Sequence, residues 1–133
     1  MYKRQIANRT PDKAVELAHA FSDLGPVTGS GYPELRGQQY DIVINATAAS
    51  LHGEVPPLPG NVLADAAVCY DMMYGKQPTA FMAWATQHGA AKVLDGLGML
   101  VEQAAESFFI WRGVRPQTQP VIRTLREEMN RSN

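Results

Sequence analysis

The segment Asp41-Ile42-Val43-Ile44-Asn45-Ala46 constrains this chain more than any other. Three consecutive β-branched residues without alternating polar partners describe a strand covered on both faces. Ala67-Val68-Cys69-Tyr70-Asp71 reads as a second buried strand, and Lys92-Val93-Leu94 as a short last one. An earlier short strand falls at Arg4 to Asn8, within Tyr2-Lys3-Arg4-Gln5-Ile6-Ala7, a segment unusually polar for double burial.

Helical patterns alternate with these runs. Thr10 can cap a first helix and Pro11 suits its first position, where no amide hydrogen is needed. Ala14, Leu17, Ala18 and Phe21 then form one buried face. Thr79 to His88 is a short helix with Phe81, Trp84 and Ala85 inward. Leu97 to Trp111 is the longest, with Leu97, Leu100, Ala104, Phe108 and Trp111 as its apolar stripe. Met99, Gln103 and Glu106 mark its second face, and Gly113 ends it. Pro116 and Pro120 precede a last helix that buries Val121, Ile122, Leu125 and Met129. The alternation predicts an α/β fold: a mostly parallel sheet flanked by helices, with right-handed crossovers.

Composition excludes several functions. The 133 residues suffice for one domain with a core. A net charge of -1 gives no reason to expect nucleic acid or an anionic membrane as partner. No apolar run approaches the roughly 20 residues that span a bilayer. Met1 to Gln5 lacks the apolar core of a secretory signal. The lone Cys69 excludes an internal disulfide and a cysteine-based zinc cluster. A cytoplasmic, metal-free domain is expected.

Ligands of such sheets bind beyond the carboxyl ends of the strands. Four segments lie there. Asn8-Arg9-Thr10, with Lys13 one turn later, puts cations at a strand end and a helix N-terminus, where a phosphate would be favoured. A solvated corner with Asp12 as an opposing charge explains the same residues. Thr47, Ala48 and Ala49 are small enough for a ligand to approach the backbone closely, though an ordinary polar turn would look alike. Met72 could lie against a flat ring, but methionines at such spacing are more often core. Gly96 and Gly98 open the longest helix and allow something flat or charged to approach. Gln103 offers a donor and an acceptor for a hydroxyl, or simply faces solvent.

Taken in order, Asn8-Arg9-Thr10, Ile44-Asn45-Ala46-Thr47, Tyr70-Asp71-Met72-Met73-Tyr74 and Asp95 to Ala104 resemble the C-terminal, nucleotide-binding part of the shikimate dehydrogenases. Thr79-Ala80-Phe81 with Trp84 fits the same family. The resemblance implies a Rossmann-like fold and NADP-dependent interconversion of 3-dehydroshikimate and shikimate, in aromatic amino-acid (chorismate) biosynthesis. It implies that Asn8, Arg9, Thr10 and Lys13 hold the adenosine 2′-phosphate of NADP. Thr47, Ala48 and Ala49 would line the cofactor groove, and Met72 and Gly96 would meet its nicotinamide end. Tyr74 and Gln103 would reach shikimate. Ala48-Ala49 departs from the serines common in the family.

The family's catalytic lysine and aspartate have no counterpart in these residues, nor does the glycine-rich pyrophosphate loop with its strand. The resemblance therefore implies a domain truncated at its N-terminus, inactive alone; the alternative is a non-catalytic nucleotide-binding or interaction module derived from that fold. Its helices at about 97–131 would pack toward the absent substrate domain. The strands near Ile6 and Ile44 would lack a shared partner, leaving edges open to self-association.

Overall fold

Strands and helices alternate as expected in the computed structural model, which describes residues 3–131. Met1 and Tyr2, where the polar first strand was expected to begin, lie outside the described residues. The chain divides into two compact units: Met1–Tyr40 with Pro57–Ala64, and Asp41–Pro56 with Asp65–Asn133.

The first unit holds β1 (Arg4–Ala7), α1 (Pro11–Ala20) and β2 (Val27–Ser30). β1 and β2 pair in parallel, from Arg4 opposite Val27 to Ala7 opposite Ser30. Sequence patterning passes over β2, because Val27-Thr28-Gly29-Ser30 has one large apolar residue and a glycine. That glycine is required. A Cβ at Gly29 would lie 2.2 Å from the Ala14 carbonyl oxygen, so α1 lies directly on the strand's backbone. Ala14 and Ala18 are buried in this contact, but Leu17 and Phe21 are 47% and 48% exposed. The expected four-residue buried face is thus narrower, since a two-stranded sheet covers one side of a helix only.

The second unit contains most of a three-stranded sheet in the order β3-β4-β5, formed by Tyr40–Asn45, Leu63–Asp71 and Lys92–Leu94. β4 and β5 run parallel, with Val68 opposite Lys92. Leu63, Ala67, Cys69 and Asp71 of β4 are buried, as befits a central strand. Ala66 takes a left-handed φ of 60°, which breaks the regularity of β4 near the division between the units.

β3 departs from expectation. Ile42 and Ile44 are 65% and 59% exposed, because β3 is an edge strand in the described residues and lacks cover over that side. Among the described residues β1 and β3 belong to different sheets, and no strand pairs with both, as expected.

The helices of this unit are α2 (Ala80–Gln87), α3 (Leu97–Arg112) and α4 (Thr118–Arg131). Phe81 and Ala85 are fully buried on α2, and Trp84 is half-buried, stacking on Phe81 at 5.7 Å. On α3 the buried stripe is Leu97, Val101 and Ala105. It lies beside the expected one: Leu100 is half-buried, while Ala104, Phe108 and Trp111 are exposed. Gly113 ends α3 at a φ of 69°. Pro120 falls inside the first turn of α4 rather than before it, a position where the missing amide hydrogen costs no bond. No α4 residue is fully buried; Ile122, Leu125 and Met129 are half-buried and Val121 is exposed.

The packing of Gly29 against α1 makes a direct prediction. Gly29→Ala should destabilise the chain by about 2–3 kcal/mol, near the upper end for overpacking, because the clash is with backbone. Urea unfolding measures this. An unchanged midpoint would mean that α1 does not rest on β2.

Candidate functional site

In the first unit the strand-to-helix corner is built on backbone. The Asn8 amide donates to the Ser30 carbonyl at 3.1 Å, and the Asn8 carboxamide oxygen accepts the Thr10 amide at 2.9 Å. Thr10 occupies the N-cap position of α1, but its hydroxyl makes no capping bond, contrary to expectation, since Asn8 shapes the turn instead. Arg9, Thr10 and Lys13 are exposed and Asn8 is half-buried. Burial pushes the Tyr32 phenol above its ordinary pKa, and the neighbouring Arg9 charge pulls it partly back. An exposed guanidinium beside a helix N-terminus is chemically suited to a dianionic phosphate.

In the second unit the chemistry gathers around Asp71, which is fully buried. Its Oδ1 accepts the Asn45 carboxamide at 3.3 Å and the Met73 amide at 3.0 Å. Its Oδ2 accepts the Ser50 and Thr79 hydroxyls, each at 2.6 Å. One carboxylate therefore joins the ends of β3 and β4, the turn at Ala49–His52 and the start of α2. Thr79 also caps α2, its hydroxyl accepting the Met82 amide at 3.2 Å. Asn45 extends the network by accepting the Thr47 hydroxyl at 2.7 Å and the Thr47 amide at 3.1 Å. The Thr47 proton is thus committed to shaping its own turn. Ala48 is exposed and Ala49 half-buried, leaving small side chains on that turn's surface.

Met72 is half-buried and Tyr74 is 45% exposed. Gly96 is buried, and what approaches it is the chain's own backbone. A Cβ there would lie 1.9 Å from the Met72 carbonyl oxygen, and the Gly96 amide donates to the Met73 carbonyl at 3.0 Å. The two segments that follow β4 and β5 are locked together by this contact. Gln103 is exposed on α3. Among the described residues, no cluster of metal-ligating side chains exists and no helix is long and apolar enough to cross a membrane.

The sequence singled out each surface residue above, but passed over the groups that hold them: Asn45, Ser50, Asp71 and Thr79 as one network. A carboxylate ending an apolar run was the available signal.

Known proteins resemble this chain. Residues 96–126 match the model of the shikimate 5'-dehydrogenase C-terminal domain. A shikimate dehydrogenase (NADP(+)) of Nitrosococcus oceani is 59% identical over 128 residues, covering 96% of this chain and 45% of that protein. One from Thioalkalivibrio sulfidiphilus is 62% identical over 91% of this chain and 44% of its own length. The chain is thus similar to shikimate dehydrogenases along most of its length, and residues 96–126 to their C-terminal domain. It spans about 45% of the length of the curated relatives it matches. The crystal structure of an Ael1 enzyme from Pseudomonas putida superposes with a TM-score of 0.84 at 50% identity, covering 91% of this chain and 44% of that one. That of a Thermus thermophilus shikimate 5-dehydrogenase in complex with NADP(H) and shikimate gives a TM-score of 0.75 at 27% identity, over 92% and 45%. The Rossmann-like class expected from sequence therefore holds.

The Asp71 network predicts an asymmetry between two substitutions. In Asp71→Asn the carboxamide oxygen can keep the Asn45 and Met73 donors, while the Ser50 and Thr79 hydroxyls rotate to accept the new NH2. Asp71→Ala strands several buried donors and should cost about 3 kcal/mol or more. Thermal unfolding should rank Asp71→Asn near the unaltered chain and Asp71→Ala far below. Equal losses would show that the charge matters, not the pattern of acceptors.

Proposed function

We propose that this chain is the NADP-binding part of a cytoplasmic shikimate dehydrogenase, whose activity is the NADP-dependent interconversion of 3-dehydroshikimate and shikimate. The observation that carries this reading is Arg9, exposed where β1 meets α1, together with 59% identity to a relative named for NADP. An acidic residue at this strand end would favour the free ribose of NAD, whereas arginine accommodates a 2′-phosphate. Asn8 fixes the corner, Arg9 and Lys13 supply charge, and Thr10 begins the helix. In the second unit Thr47, Ala48 and Ala49 present a surface without bulk, suited to the cofactor-lining role that the family resemblance gives them. Met72 and Gly96 form the corner for its nicotinamide, and Tyr74 and Gln103 face shikimate. NADP when bound supplies the hydride acceptor; these residues bind and orient.

The family resemblance gives no residue of this chain the part of a catalytic proton carrier. The chain alone should therefore give no shikimate-dependent reduction of NADP, measured as absorbance of the reduced cofactor. Robust turnover would contradict the assignment of catalysis to residues outside this chain. Binding is tested separately: calorimetry should detect 2′,5′-ADP with the unaltered chain and not with Arg9→Asp. Unchanged affinity would move the phosphate site elsewhere.

Helices α3 and α4, about residues 97–131, are the face on which the rest of a longer protein would dock. Ile110 and Trp111 are 72% and 77% exposed there, more than solvation alone favours. The open edge of β3 is proposed as a route to self-association. Replacing both Ile42 and Ile44 with lysine should lower the apparent mass in concentration-dependent sedimentation. Stability should barely change, because both side chains are already exposed. Unaltered association would exclude this edge.

A further inference from the structure

Arg126 lies on α4, at the last residue of the stretch that matches the family model, and grips Asp95, at the head of the motif that opens α3. Its guanidinium meets Asp95 as a fork: Nη1 donates to Oδ2 at 2.8 Å and Nη2 to Oδ1 at 2.7 Å. The Asp95 side chain is 12% exposed and that of Arg126 39%, so the carboxylate is shielded while the guanidinium keeps one side open to solvent. We propose that Arg126 is a positioning residue for the nicotinamide-facing corner, an inference that rests on the NADP reading above.

The contacts form a chain from α4 to that corner. Asp95 Oδ1 also accepts the Leu97 amide at 3.3 Å, which fixes the carboxylate at the entry to α3. Gly96, between them, donates to the Met73 carbonyl at 3.0 Å and leaves no space for a Cβ against the Met72 carbonyl. Moving Asp95 therefore moves Gly96, and moving Gly96 releases Met72. A cavity of about 280 Å3, lined by Lys76, Met82, Asp95 and Arg126 among others, leaves the corner room to shift once the fork is lost. Lysine cannot replace the fork, because an ammonium is a point charge without two parallel donors.

A purely structural role would lower stability and leave ligand binding by folded molecules unchanged. Amide NMR of the chain during titration separates the two. With the unaltered chain, 2′,5′-ADP should shift the Asn8 to Thr10 amides only, and NADP should also shift those of Met72, Met73 and Gly96. In Arg126→Lys and Arg126→Met the first set should respond as before. The second should stay still, with NADP affinity about tenfold weaker, the size of one lost charge-assisted contact. Folded variants in which NADP still moves both sets at unaltered affinity would overturn the proposal. So would an unfolded Arg126→Met accompanied by an Arg126→Lys that binds NADP normally. An unaltered chain in which only the first set moves overturns this inference and leaves the phosphate site standing. One in which neither set moves overturns the NADP reading itself.

Discussion

A carboxylate buried away from water is costly unless its lone pairs are satisfied, and Asp71 has four donors around it. Because those donors come from β3, the turn after it, the segment after β4 and the cap of α2, their positions are set together. The residues proposed to meet a ligand in the second unit stand on the outer side of this network. Thr47 and Ala49 are where they are because Asn45 and Ser50 answer to Asp71. Met73, bonded through its amide to Asp71, in turn receives Gly96. The family motifs of this unit are thus one interlocked polar structure, and only their outermost atoms are free for binding.

The first unit works differently. Its corner has little buried polar machinery. Backbone pairing of β1 with β2 and the close approach of α1 at Gly29 hold it, and charge does the rest. Binding there should weaken with added salt, since exposed cations are screened within roughly 8–10 Å at ordinary ionic strength. Contacts made around Asp71 should be less sensitive.

The sequence revealed much of this, with uneven success. Fold class and strands β3, β4 and β5 were legible because β3 carries a β-branched run and β4 and β5 are short apolar runs bounded by loops. β2 was not, since its residues are chosen for what α1 needs rather than for strand propensity. The helix α3 was found but its stripe misjudged by one position. Leu97, Val101 and Ala105 lie four residues apart, and with so many apolar residues on this helix the pattern does not single out one face. Ile42 and Ile44 carry the signature of a doubly covered strand yet stand exposed. Their sequence is suited to a more complete sheet than the described residues form. Arg9 was readable as a cation at a strand end. Arg126 was not, because nothing local marks a residue whose partner lies 31 positions away.

Preference for the 2′-phosphate rests on the exposed Arg9 and Lys13. Thermal shift of the chain with NADP and with NAD at equal concentrations tests it most directly, because ligand stabilisation grows with concentration relative to the dissociation constant. Tm should rise with NADP and little or not at all with NAD. Equal shifts with both, or a larger one with NAD, would contradict it.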